Sequence, residues 1–302
     1  MTTIDTLTEA LIERAPEVPD EIPVISLDSG IDPLGRGTEI AHRLGTMLGW
    51  DPGRAKADRG ITTTVLRDES GARTRLFHAS GALAMRSATG SFEELFDGDP
   101  GEEKLTALTE GWVDRLGLRD LLPDGDRLDH ERLWRIRAAG SDTNGKLTEP
   151  VLCRAIGALR HRVYDLPVLG RASAHVEVTG QGNLSGLSVS LRRFAGGRDK
   201  VLTTLKPRPV DDAAREIAER LARALGGPDT LEGAEITAEA LHFGYLSLGR
   251  RRAQSLLAPM YVAQVAVAGT VRSAHVLPVA GSVERFLKVP SGSRAAATMR
   301  AA

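Results

Sequence analysis

The sequence predicts an α+β protein in which helices pack on one face of antiparallel sheets. Three observations carry this expectation. Amphipathic helical stripes each stand ahead of a group of strand-like runs, the turns between those runs are short and contain Gly, and no helix separates successive strands as a parallel α/β fold requires. With 302 residues the chain has room for two ordinary domains or one large domain of repeated units.

The first residues, ending in "RAPEVPDEIPVISLDSG", are rich in acids and Pro, so residues 1–33 are expected to form an extended arm. Its apolar members Ile22, Val24, Ile25 and Leu27 are placed to pair with a sheet edge, that of a neighbouring subunit included. In "GTEIAHRLGTMLGW" Ile40, Leu44, Met47 and Leu48 recur at helical spacing, and "GITTTVLRDESGARTRLFHASGALAMRS" reads as two strands around the turn Asp68 to Gly71. A second unit opens with "GEEKLTALTEGWVDRLGL", whose stripe is Leu105, Leu108, Trp112, Val113 and Leu116. Strands follow at "RLWRIRAAG", "PVLCRAIGALRHRVYD", "ASAHVEVTG" and "GLSVSLRRF". The clearest helix is "PVDDAAREIAERLARALGG": acids favour its start, Ile217, Leu221 and Leu225 share a face, and Gly226 and Gly227 stop it. The runs "EITAEALHFGYLSL", "AQSLLAPMYVAQVAVAG" and "SAHVLPVAG" complete the order. A polar, turn-rich boundary at Leu121 to Asp129 divides a first α+β region, 34–125, from a second, 126–288, with a flexible tail at 289–302.

Composition narrows the function. A formal net charge of −1 supplies no global field for nucleic acid or an anionic membrane, so a polyanion would need a local basic patch. No apolar run approaches the length of a spanning helix, and the acidic, Pro-containing start is not a signal peptide, so a cytoplasmic protein is expected. The single Cys153 excludes an internal disulfide and a cysteine-rich metal site, and its apolar surroundings predict a buried, inert thiol.

The stretches "VDDAAREIAERLARAL", "AEALHFGYLSLGRRRAQSLLAPMYVAQVAV" and "SAHVLPVAGSV" resemble the cystatin-like repeats of PepSY-like and YycI-like bacterial regulatory proteins: a helix, a strand with Gly-Tyr, a strand entered through Leu-x-Pro and an aromatic, then a short strand ending in Gly. "DLPVLGRASAHVEVTGQGNLSGLSVSLRRF" is similar to the hairpin before that helix, so the resemblance covers about residues 165 to 281. It implies tandem repeats, each a helix on a curved antiparallel sheet, and a binding or regulatory role. Those relatives are anchored to membranes and face outward, and no anchor is visible here.

Ser-Ala-His-Val occurs twice, at 173–176 and 273–276. A structural unit used twice explains the pair without chemistry. Alternation on a strand places Ser173, His175 and Glu177 on one face and Ala174, Val176 and Val178 on the other. Under an enzyme reading, His175 and Glu177 would exchange protons inside a concave sheet, with Tyr245 and Tyr261 as further polar groups of an isomerase, cyclase or hydrolase. No phosphate loop, zinc motif or nucleophile elbow is present, so no cofactor or metal is expected. His42, His161, Tyr164 and Asp165 lack metal-binding spacing. Arg250, Arg251 and Arg252 in "GRRRAQ" form the one strong basic run. It falls at a hairpin turn and suits an acidic partner or a phosphate, and His275 is grouped with it as a binding residue. Binding without catalysis is therefore the expected role. The partner is a second copy of the chain, an unidentified protein or a small apolar ligand.

Overall fold

The computed structural model describes residues 3–27, 32–47, 54–69, 71–88, 94–141, 143, 145–197, 199–227, 235–268 and 273–287. In chain order the elements are α1 (Thr3–Ile12), β1 (Ile22–Ser26), α2 (Pro33–Met47), β2 (Lys56–Arg59), β3 (Thr63–Arg67), β4 (Arg73–Phe77), β5 (Leu83–Arg86), α3 (Glu102–Arg115), β6 (Arg127–Ala138), β7 (Val151–Val163), β8 (Leu166–Leu169), β9 (Ala174–Val178), β10 (Leu184–Val189), β11 (Lys200–Leu205), α4 (Val210–Ala224), β12 (Glu235–Leu246), β13 (Leu256–Leu257), β14 (Pro259–Ala268) and β15 (Ser273–Ala280). The α+β class holds, and every strand pairing described below is antiparallel. The chain forms two compact units that interleave in sequence. Unit 1 takes residues 1–26, 200–246 and 256–302; unit 2 takes 27–199 and 247–255.

Unit 1 packs α1 and α4 together, with α4 on β15 and α1 on β12. Its strands form one group in the order β12-β14-β15 and a small sheet β11-β1-β13. Alternating small and branched residues let α4 bury one side completely: Ala213, Ala214, Ile217, Ala218 and Leu221 have no exposed surface, while Leu225 at the end is only partly buried. Gly226 and Gly227, at φ 105° and 131°, stop the helix where a side chain would be strained. The apolar β14 is central among its neighbours, which accounts for its nearly unbroken burial.

In unit 2 the strand order is β6-β7-β9-β10-β5-β4-β3-β2, with β8 folding back on the end of β7. The two-residue turn between β7 and β8 places Tyr164 and Asp165 at φ 48° and 63°, the positive values that a tight hairpin of this hand needs. Helix α3 lies against β7 and β9, and α2 against β4. Leu105, Val113 and Leu116 of the predicted α3 stripe are buried in one core with Leu76, Leu83, Val176 and Leu187, whereas Leu108 is 37% exposed. The close approach of α3 to β7 depends on Gly157: a Cβ there would meet Thr109 Oγ1 at 2.5 Å.

Several expectations are corrected. The N-terminal arm is not extended throughout, because α1 occupies Thr3–Ile12 and its prolines begin only at Pro16, beyond the helix. Ile22–Ser26 is the central strand of the small sheet in unit 1, held by β11 on one edge and β13 on the other. The stretch Leu121 to Asp129 runs from the end of a short 3-10 helix into β6 within unit 2 and divides nothing. The region 60–87 holds three strands, since β4 turns again into β5. Leu48, the side chain of Met47 and the tail 289–302 lie outside the described residues. Among the described residues no helix is long and apolar enough to cross a membrane.

Candidate anion-binding cleft

Residues directly opposite on neighbouring strands share a face, so the register of unit 2 defines what each face carries. One row runs Arg67, Arg73, Arg86, Gly186, Glu177 across β3, β4, β5, β10 and β9. The next row runs Val65, Arg75, Ala84, Ser188, His175. Intervening residues Leu66, Leu76, Leu83, Met85, Leu187 and Val176 point the other way, into the core under the helices. One face of the sheet is thus sealed by α2 and α3, and the opposite face is cationic.

The segment 247–255 closes over that cationic face. Arg192 grips its backbone, donating to Leu248 O at 2.6 Å, Gly249 O and Arg252 O at 3.1 Å. Burial lowers the pKa of Arg192 to about 10, so at neutral pH it stays charged and holds the carbonyls. Arg250 is fixed in turn. Its Nε donates to Ser190 Oγ at 2.7 Å and its Nη2 to Ser188 Oγ, its carbonyl accepts from Ser80 Oγ, and its guanidinium lies 5.5 Å from the centre of the Phe77 ring.

Between sheet and segment lies a cleft of about 560 Å3. Its walls are Arg67, Arg73, Arg75 and Arg86 from the strands, Arg171 from the turn after β8, and Arg250 to Arg252 from the segment. Val65, Phe77 and Ala84 form an apolar floor. Side-chain partners hold Arg86 and Arg250; Arg67, Arg73, Arg75, Arg171, Arg251 and Arg252 make no side-chain ion pair among the described residues. Arginines two residues apart on one face of a strand, such as Arg73 and Arg75, start about 7 Å apart at the backbone, so their like charges repel, an effect that solvent weakens at these exposed positions. The cleft therefore concentrates positive charge.

His175 and Glu177 stand at the inner end of this face. Burial first, then the fields of Arg250, Arg86 and Arg171, lowers the pKa of His175 to about 4, so at neutral pH its imidazole is uncharged. Glu177 is buried and lies across the strand opposite, where Gly186 leaves room: a Cβ on Gly186 would sit 3.2 Å from Glu177 Oε2. Its Oε1 accepts from Ser185 Oγ at 3.1 Å and pairs with Arg86 at 3.5 Å and Arg154 at 3.8 Å. These partners occupy the carboxylate as a counter-charge, a structural use rather than that of a free base.

The structure thus brings His175, Glu177, Arg250, Arg251 and Arg252 to one face of unit 2. Tyr245, Tyr261 and His275 belong to unit 1. Both tyrosines are buried and donate to backbone carbonyls, Tyr245 to Pro23 at 2.9 Å and Tyr261 to Arg208 at 3.0 Å. Burial raises the Tyr261 phenol above its usual range, which keeps it protonated in that bond. His275 contacts Ser273 Oγ at 3.0 Å on β15, and burial lowers its pKa. His175 sits on an interior strand, His275 on β15, which pairs only with β14 among the strands of its own unit. Arg67, Arg73, Arg75, Arg86 and Arg171 escaped the sequence reading, since only the register of the strands gathers them. Cys153 is buried as expected.

No family model matches the chain, and no curated protein matches it. Among solved structures it is similar to an uncharacterized protein from Eubacterium rectale ATCC 33656, with a TM-score of 0.51 at 8% identity, covering 95% of this chain and 98% of that one. This likeness concerns the fold alone.

Proposed function

We propose that the chain is a non-catalytic binding protein whose cleft in unit 2 holds a small ligand bearing several negative charges. The observation that carries this reading is the convergence of eight arginines from three separated parts of the chain on a cleft of about 560 Å3, seven of them without an ion-pair partner among the described residues. Guanidinium groups bind phosphate and carboxylate through paired, charge-assisted hydrogen bonds, and an arginine cluster is the usual answer to such ligands. The lining favours an anionic ligand over the small apolar ligand expected of a curved sheet.

The same reading takes each unit as a helix on antiparallel strands, in the manner of cystatin-like tandem repeats, and places the protein in the cytoplasm with regulatory binding proteins. A homodimer belongs to it with its own test. The apolar strand β14 is flanked by β12 and β15 on its two edges, so the dimer must rest on another surface. Light scattering at twice 32.3 kDa establishes it, and a mass of 32.3 kDa ends it.

Calorimetric titration with inorganic triphosphate tests the binding function. Measurable affinity should weaken about tenfold or more in the Arg73→Ala/Arg75→Ala variant, since each lost charge-assisted contact is worth about 1.5 to 3 kcal/mol. Both residues are exposed, so the variant should keep its fold. Absence of binding to the unaltered protein, or equal binding by the variant, would exclude this cleft.

A further inference from the structure

The arginines of the cleft are not spread evenly. Arg67, Arg73 and Arg86 are direct cross-strand neighbours and form one arm. At the opposite end of β4 stands Phe77, and over its ring lies Arg250, with Arg251 and Arg252 beside it in the segment. Arg73 and Phe77 are four residues apart on one strand, about 13 Å between their backbones, and the Arg250 guanidinium reaches back from Phe77 to Ser188 in the row of Arg75 and Ala84. Between them Val65 and Ala84 present apolar side chains on the cleft floor on either side of Arg75, with Phe77 beneath Arg250.

From this juxtaposition we infer that the ligand is bipartite: a small molecule with an anionic group, phosphate or carboxylate, at each end of an apolar middle. This rests on the anion-binding reading and narrows it. A compact polyanion would reach one arm and leave the apolar floor uncovered. A ligand of matched length neutralises both arms, and its second anionic group then binds as an intramolecular event at high effective concentration. A single-stranded nucleic acid fits less well, because sequence-tolerant binding of bases relies on a series of aromatic platforms and Phe77 is the one aromatic side chain lining the cleft.

A molecular ruler tests the inference. The full chain is titrated calorimetrically with α,ω-alkane bisphosphates of increasing length, with the alkyl monophosphates of the same lengths, and with inorganic triphosphate. Affinity for the bisphosphates should pass through an optimum at intermediate length, about tenfold or more tighter than the shortest member. Arg73→Ala and Arg252→Ala, on opposite arms, should each abolish that optimum and leave affinity near that of the matched monophosphate. If triphosphate or the shortest bisphosphate binds as tightly as any and no optimum appears, the bipartite reading is overturned while anion binding stands. If none of the probes binds, both fall. If a labelled oligothymidylate binds more tightly than every bisphosphate, with affinity growing steadily with its length, a nucleic-acid groove replaces the small-molecule site.

Discussion

The residue that reports most sensitively on the cleft is His175. Its folded pKa of about 4 lies below the ordinary 6.5, so on acidification the unfolded chain takes up this proton first. Its contribution to stability is complete above pH 6.5, falls as the pH drops towards 4, and amounts to about 3 kcal/mol at most. Denaturant unfolding at a series of pH values should show this decline in the unaltered protein and a flatter profile in His175→Gln. A bound anion opposes the fields of Arg250, Arg86 and Arg171, so triphosphate should raise the pKa of His175, read from its imidazole NMR shifts. An unchanged titration in the saturated protein would place the anion elsewhere. Glu177 is fixed beside His175 on the same strand by Arg154, Arg86 and Ser185. The sequence showed His175 and Glu177 sharing a face, because alternation on a strand is a local rule. It did not show their surroundings, since Arg86 and Arg250 lie 89 and 75 residues from His175 in the chain and arrive only through pairing and loop packing.

At the scale of elements, the helices with a strong apolar stripe were legible and the exposed strands were not. Helix α4 was readable to within a residue because its buried face repeats at helical spacing. Strands β2 and β11 carry mostly exposed side chains and so lack the alternation that marks a half-buried strand. Helix α1 was obscured by the prolines that follow it. Two substitutions test the packing. Leu221→Ala removes a side chain with no exposed surface and should cost about 2 to 5 kcal/mol in denaturant unfolding. Gly157→Ala drives a methyl against buried Thr109 and should cost about 1 to 3 kcal/mol as α3 is displaced. A negligible loss in either would mean that the helix in question is peripheral to its core.

For the whole molecule, a net charge of −1 conceals strong local separation. Eight arginines face one cleft while much of the acidic charge is consumed in pairs elsewhere, such as Glu216 with Arg208 and Arg220 in unit 1 and Asp126 with Arg193 in unit 2. Composition supplies no global field for a polyanion, whereas the strand register gathers a local basic patch. Relief of the repulsion among these arginines should make sulfate raise the melting temperature more in the unaltered protein than in Arg73→Ala/Arg75→Ala, beyond the general salting effect common to both. The most direct test of the central claim is an NMR spectrum of the arginine Nε–Hε groups recorded with and without saturating inorganic triphosphate. Shifts confined to arginines of the cleft, with Arg73, Arg75 and Arg250 among them and Arg208 and Arg220 unmoved, are the result predicted. Shifts at Arg208 and Arg220 with the cleft unmoved, or no shifts at any arginine, would contradict it.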